Sequence, residues 1–342
     1  MDVSGTLPTA EQVQQFLSDP SPDKRTRAIE EALQSPGYAA YWTTFFCDLT
    51  GNNDDQLRNF SPLQQSGSVH WYQWIYERVA KNVPYDQLVE GIVTAVSREP
   101  GETYRDYCEA MSEIGRDKSG KSFAQRSDMM YYWARTNQKT AEERAISFAY
   151  AFCGVRIQCA QCHKHPFDQW SKKDFDQFER LFDGIQANQI SMLPDAKKDY
   201  EKILAELGVS KSLKGNNLRR ELQQFITGKG GEKTIPFPEL VVRTVSKSPS
   251  KKESKKSISK APTARLLGGD FVDLSEVGDT REPLMNWLRQ PDNPYFSKAL
   301  VNRVWAQYFG VGIVNPPDDL NLANAPSNGP LLDYLAQGFL QS

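Results

Sequence analysis

The sequence of 342 residues contains no apolar run approaching 18 residues, so no segment reads as a membrane-spanning helix. Neither sign of charge dominates: 41 Lys+Arg stand against 43 Asp+Glu, a formal net charge of −2. A protein that coats nucleic acid or lies on an anionic membrane needs a clear basic excess, so both classes are set aside. Cysteine is scarce, at five residues, which rules out a disulfide scaffold. There is no Walker loop, no G-x-S-x-G, no H-E-x-x-H, no paired dinucleotide fingerprint and no repeat at a solenoid period. Residues 1–9 hold no basic stretch followed by an apolar core, so they do not read as a signal peptide.

What is present suffices for a buried core: 39% of residues are hydrophobic and 25% charged. The length suggests about two domains at ~150 residues each. Helical signals fill the first two thirds. Thr9 and Gln12 form a capping-box pattern ahead of Val13, Phe16 and Leu17. Ser21-Pro22 predicts a second helix start, with Ala28, Ile29, Ala32 and Leu33 on one face. Residues 37–49 are rich in aromatics and stop at Gly51. Helical spacing continues through Trp71, Trp74, Ile75 and Val79, and again after Pro84. A second capping box at Thr140 and Glu143 leads to a stop at Gly154, and Ser171 with Asp174 opens a helix toward Gly184.

The pattern changes near residue 228, where glycines interrupt it. Residues 239–245 read as a short strand, and Phe271-Val272 gives a weaker β signal. Residues 246–260 are a Ser/Lys run with six Lys and one Glu, the composition of a solvated linker. Helical spacing returns from Glu282, continues over 296–308, breaks at Pro316-Pro317 and resumes over 331–340. The expected fold is therefore mainly α. A multi-helix domain with a short β element (1–245) leads through a Ser/Lys linker (246–262) to the helical start of a second domain (263–342).

One segment carries chemistry. Cys159-Ala-Gln-Cys162-His163 has the spacing of covalent c-type haem attachment. Two cysteines three apart lie on one helical turn, so both sulfurs can reach the vinyl groups along one haem edge. The next residue, His163, can then turn its imidazole to the iron. Three rivals stand beside this reading. A zinc site could use Cys159, Cys162 and His163 or His165 with a distant fourth ligand, although no cysteine follows residue 162. A dithiol redox site would need a βαβ setting that is missing here. A plain structural turn is the third.

No sixth iron ligand stands out. His165 lies about 200° around a helix from His163 and suits a hydrogen bond or another metal better. His70 sits among tryptophans, Met192 adjoins Leu193-Pro194 in a loop, and Met129 and Met130 read as core. Phe167, Trp170, Phe175, Phe178 and Phe182 could wall a haem pocket or form ordinary helix core. Cys47, Cys108 and Cys153 read as small buried apolar residues.

The run Phe152-Cys-Gly-Val-Arg-Ile-Gln-Cys159-Ala-Gln-Cys162-His163-Lys-His165-Pro-Phe-Asp168-Gln-Trp170 resembles the planctomycete-specific cytochrome-type-two domain. Leu7 to Lys24 is similar to its opening, Trp74 to Val89 to its middle, and Pro236 to Leu240 to its end. Asp292 to Phe296, Ala299 to Trp305, Phe309 to Val314 and Asn324 to Asn328 resemble the start of planctomycete-specific domain one. The resemblance implies a cell-envelope protein, exported to the periplasm or cell surface, with a haem c site at Cys159, Cys162 and His163. Its expected role is electron transfer with an unidentified redox partner. It also implies a partial reading frame, since proteins of the family are larger and often carry an upstream cytochrome domain. Two other classes stay open: a non-haem metal-binding or interaction module of a cell-surface assembly, and an envelope enzyme whose active groups lie beyond residue 342.

Overall fold

A computed structural model of the chain describes residues 2–57, 67–116, 120–189, 193–226, 232–243 and 263–341. Fourteen α-helices and two small sheets occur among them, so the chain is mainly α, as its periodicity predicts. The first seven helices are α1 (Ala10–Ser18), α2 (Lys24–Leu33), α3 (Pro36–Thr50), α4 (Asp54–Leu57), α5 (Gly67–Ala80), α6 (Tyr85–Val93) and α7 (Tyr104–Arg116). Then come α8 (Ala141–Phe148), α9 (Lys172–Phe178), α10 (Pro194–Leu207), α11 (Gly215–Ile226), α12 (Glu282–Leu288), α13 (Phe296–Phe309) and α14 (Gly329–Gln341).

Local chemistry starts several of these helices where the sequence places them. Thr9, Thr140 and Ser171 each accept a backbone N–H three residues on, completing capping boxes for α1, α8 and α9. Gly51, at φ 75°, closes α3 in the left-handed conformation. The second helix differs from its expected start at Pro22. The Asp19 carboxylate takes the Ser21 N–H at 2.8 Å, and this local turn delays α2 to Lys24. Neither α1 nor α2 buries a residue, so the apolar face expected at Ile29 and Leu33 is half-exposed.

The strand expected at 239–245 is present as β2 (Glu239–Val242). It pairs antiparallel with β1 (Ile185–Gln189), Ile185 opposite Val242. The weak signal at Phe271 belongs to β4 (Phe271–Asp273), paired with β3 (Thr263–Arg265). The glycine break at 228–231 and the Ser/Lys run lie outside the described residues.

One buried cluster runs from Cys47 to Phe296 and takes in β3, α12 and the start of α13. Aromatic rings dominate it: Phe148 meets Phe152, Phe178 and Phe182 at centroid distances of 5.4, 6.1 and 5.5 Å. Two of the buried indoles donate their N–H groups to backbone carbonyls, Trp74 to Arg126 O and Trp133 to Val93 O, both at 3.0 Å. A smaller cluster of Ile313, Val314 and Leu332 forms beside α13 and α14. The two aromatic-rich helices α3 and α13 touch through Trp42 and Tyr308, whose rings lie 6.1 Å apart.

Three arginines tie residues 280–342 to the rest. Arg281 is fully buried and donates to Ala95 O (2.7 Å) and Thr94 O (2.8 Å) at the end of α6, while pairing with Asp279. Arg289 forks onto Glu90 and Asp86 of α6. Arg303 donates to Tyr150 O and Ala151 O beyond α8. Removing a buried cation of this kind strands its partners. Arg281→Ala is therefore expected to cost about 3–5 kcal/mol, read as a lower urea midpoint. A loss within about 0.5 kcal/mol, the range of ordinary surface changes, would contradict this account of how the C-terminal part is held.

Candidate functional site

The cysteine motif stands on a short, firmly seated turn. After α8 the chain widens into one π-turn, Ala149–Cys153, and stops at Gly154, which lies at φ 63°. Val155 and Ile157 are then buried, which pins the approach. Residues Gln158–Gln161 form a 3₁₀ turn, closed by the Cys162 N–H on Cys159 O. A 3₁₀ turn has three residues per turn, so positions i and i+3 eclipse. That spacing favours a common side for Cys159 and Cys162, the residue that caps the turn, whereas on an α-helix they would sit about 60° apart. Both are free and exposed, while Ala160 between them is fully buried and seats the turn on the core.

His163 follows on the surface, its Nδ1 2.7 Å from Lys164 O. Nδ1 therefore carries the proton and donates it to that carbonyl, leaving the Nε2 lone pair outward for a metal.

His165 has a different role. Its Nδ1 accepts the Phe167 N–H at 3.3 Å, so the proton lies on Nε2, which donates to Arg156 O at 3.0 Å. The His165 N–H reaches Trp170 O at 2.7 Å. With both ring nitrogens engaged and the side chain buried, His165 is a staple that closes the loop behind the motif and has no lone pair for a metal.

The other ligand candidates lie inside. His70 is buried, 3.0 Å from Tyr131 OH and stacked on Phe123. Met129 and Met130 are buried, and the Met130 sulfur accepts from Ser97 Oγ at 3.0 Å. Met192 is outside the described residues. Phe175, Phe178 and Phe182 pack in the core, Trp170 is buried, and Phe167 is 64% exposed. Two open surface pockets, of about 410 and 900 Å³, have neither cysteine nor histidine in their walls, and none of these five aromatic residues lines them. Among the described residues, no three Cys, His, Asp or Glu side chains converge on a metal site.

Burial separates the remaining thiols from the motif. It pushes Cys47 up to about 11, against a weaker opposing hydrogen bond from Asn52, and Cys108 up to about 12. Cys153 is raised further, again by burial. These three stay protonated at neutral pH and are poor nucleophiles.

Sequence reasoning missed the contacts that flank the motif. Gly154 O accepts the Leu320 N–H at 2.8 Å, and Phe167 O accepts the Ala323 N–H at 3.3 Å. Nothing local in the sequence marks these long-range bonds.

Comparison with known proteins gives two matches. A family model described as PSCyt2, protein of unknown function (DUF1549), covers residues 1–187. One described as PSD1, protein of unknown function (DUF1553), covers residues 280–342. No curated protein and no solved structure matches the chain.

The thiol assignment predicts a simple labelling result. Iodoacetamide at neutral pH should modify Cys159 and Cys162 in the native, reduced chain, and Cys47, Cys108 and Cys153 only on unfolding. Rapid native labelling of Cys153, read by peptide mass spectrometry, would contradict the burial described here.

Proposed function

The chain belongs to the planctomycete-specific PSCyt2 family and continues into a PSD1 segment, and from that premise we propose that it is a c-type haem-binding electron-transfer protein of the cell envelope. The observation that carries the reading is the exposed 3₁₀ turn, with two free, exposed thiols three residues apart and His163 directly after them.

Each residue has a defined part. Cys159 and Cys162 would hold the haem by thioether bonds to its two vinyl groups. His163 would offer Nε2 to the iron, oriented by its Nδ1–H bond to Lys164 O. Ala160 and His165 seat the turn on the core, which would limit the ordering that attachment has to impose. Bound haem supplies a one-electron redox centre, whose potential depends on axial ligand, hydrogen bonding and exposure. An exported location accords with this reading, because attachment takes place outside the cytoplasm. Zinc is the weaker fit, since among the described residues no three Cys, His, Asp or Glu side chains converge at the turn.

The test is to express the chain behind a secretion signal in a host with c-type cytochrome maturation. A Soret band should remain with the denatured wild-type chain and vanish in Cys159→Ala/Cys162→Ala. His163→Ala should keep covalent haem and change the native spectrum. A colourless wild-type protein carrying zinc would move the motif to a structural metal site, and a colourless, metal-free one would sink both.

A further inference from the structure

Both flanks of the cysteine turn are bonded to one short loop of the C-terminal segment. Upstream, Gly154 O accepts from Leu320 N–H at 2.8 Å; downstream, Phe167 O accepts from Ala323 N–H at 3.3 Å. The Ala323 N–H is shared with the Asn321 side chain, so the upstream bond is the firmer of the two. Gly154 also meets this segment sterically. A Cβ there would come within 3.1 Å of Ala299 and 3.3 Å of Leu320, on a backbone at φ 63° that already favours glycine.

Arg303 joins the same two parts from below. It is 4% exposed, and its guanidinium has three partners. Nη1 donates to Ala151 O at 2.7 Å, Nη2 to Tyr150 O at 2.5 Å, and Nε to Asp318 at 2.5 Å. Asp318 in turn accepts from Tyr150 OH at 3.1 Å. The carbonyls that Arg303 takes are those of the π-turn: Tyr150 O, which also accepts the Gly154 N–H at 3.3 Å, and Ala151 O, near the helix end where backbone partners run out. Its planar fork matches this set of acceptors in a way a lysine cannot.

We propose that Arg303 and the loop at 318–323 are positioning elements of the Cys159–His163 turn, so that the PSD1 segment and the cysteine motif form one composite site. This deepens the haem reading and rests on it only for what the turn carries. The positioning itself belongs to the chain without haem.

Asp318→Asn tests it with little disturbance, because Asp318 is partly exposed and the change keeps its shape. Hydrogen exchange of the haem-free protein is the readout. The peptide spanning residues 154–168 should exchange about tenfold faster in the variant, since a local opening there loses part of its cost. The peptide covering α7 should be unchanged. Unchanged exchange at 154–168 in a folded variant would overturn the proposal, and so would equal acceleration in both peptides, which is general destabilisation. If the variant does not fold, the wild type decides. Residues 154–168 and the amide of Leu320 should then lose protection together as urea is added, and independent loss would overturn the proposal. A chain that takes up no haem defeats the haem reading alone, because this experiment uses none.

Discussion

Helix ends inside a protein leave carbonyls without partners, and the packing of this chain turns on how those carbonyls are satisfied. Arginines from the C-terminal part do this at two places, Arg281 at Thr94 and Ala95 beyond α6 and Arg303 at Ala151 within the π-turn after α8. A guanidinium offers five donors in a fixed fork and brings a positive charge to the negative end of a helix dipole. Each arginine is also paired with a carboxylate, Asp279 or Asp318, so its charge is not left alone in the interior. A single hydrophobic cluster extending from Cys47 to Phe296 is the consequence.

The cysteine turn exploits that rigidity. Its reactive atoms are at the surface, while the residues on either side are buried or hydrogen-bonded: Ile157, Ala160 and His165. Exposure makes the thiols available, and the buried neighbours anchor the turn that carries them. A loop without such support would spread the two sulfurs over many arrangements and lose the advantage of a prepared geometry.

Much of this was legible where the chemistry is local. The capping boxes at Thr9, Thr140 and Ser171 are written in three or four residues, and each opens a helix in the structure. The Cys159, Cys162 and His163 spacing is likewise local, and the structure places all three at the surface. What escaped is non-local. The strand β1, Ile-Gln-Ala-Asn-Gln, has little β character and exists because β2 pairs with it across more than fifty residues of chain. His165 looks like a ligand in sequence, yet Arg156 O and Phe167 N–H occupy both its nitrogens. Arg303 looks like a surface charge on a helix, and only tertiary structure shows it buried against another helix end.

The account stands most directly on whether the turn holds a covalent cofactor. The decisive measurement is the mass of the proteolytic peptide containing Cys159 and Cys162, from protein exported by a host with c-type cytochrome maturation. The account predicts a peptide heavier by one haem, with neither thiol open to alkylation. The unmodified peptide, with both thiols alkylated or joined as a disulfide, would contradict it.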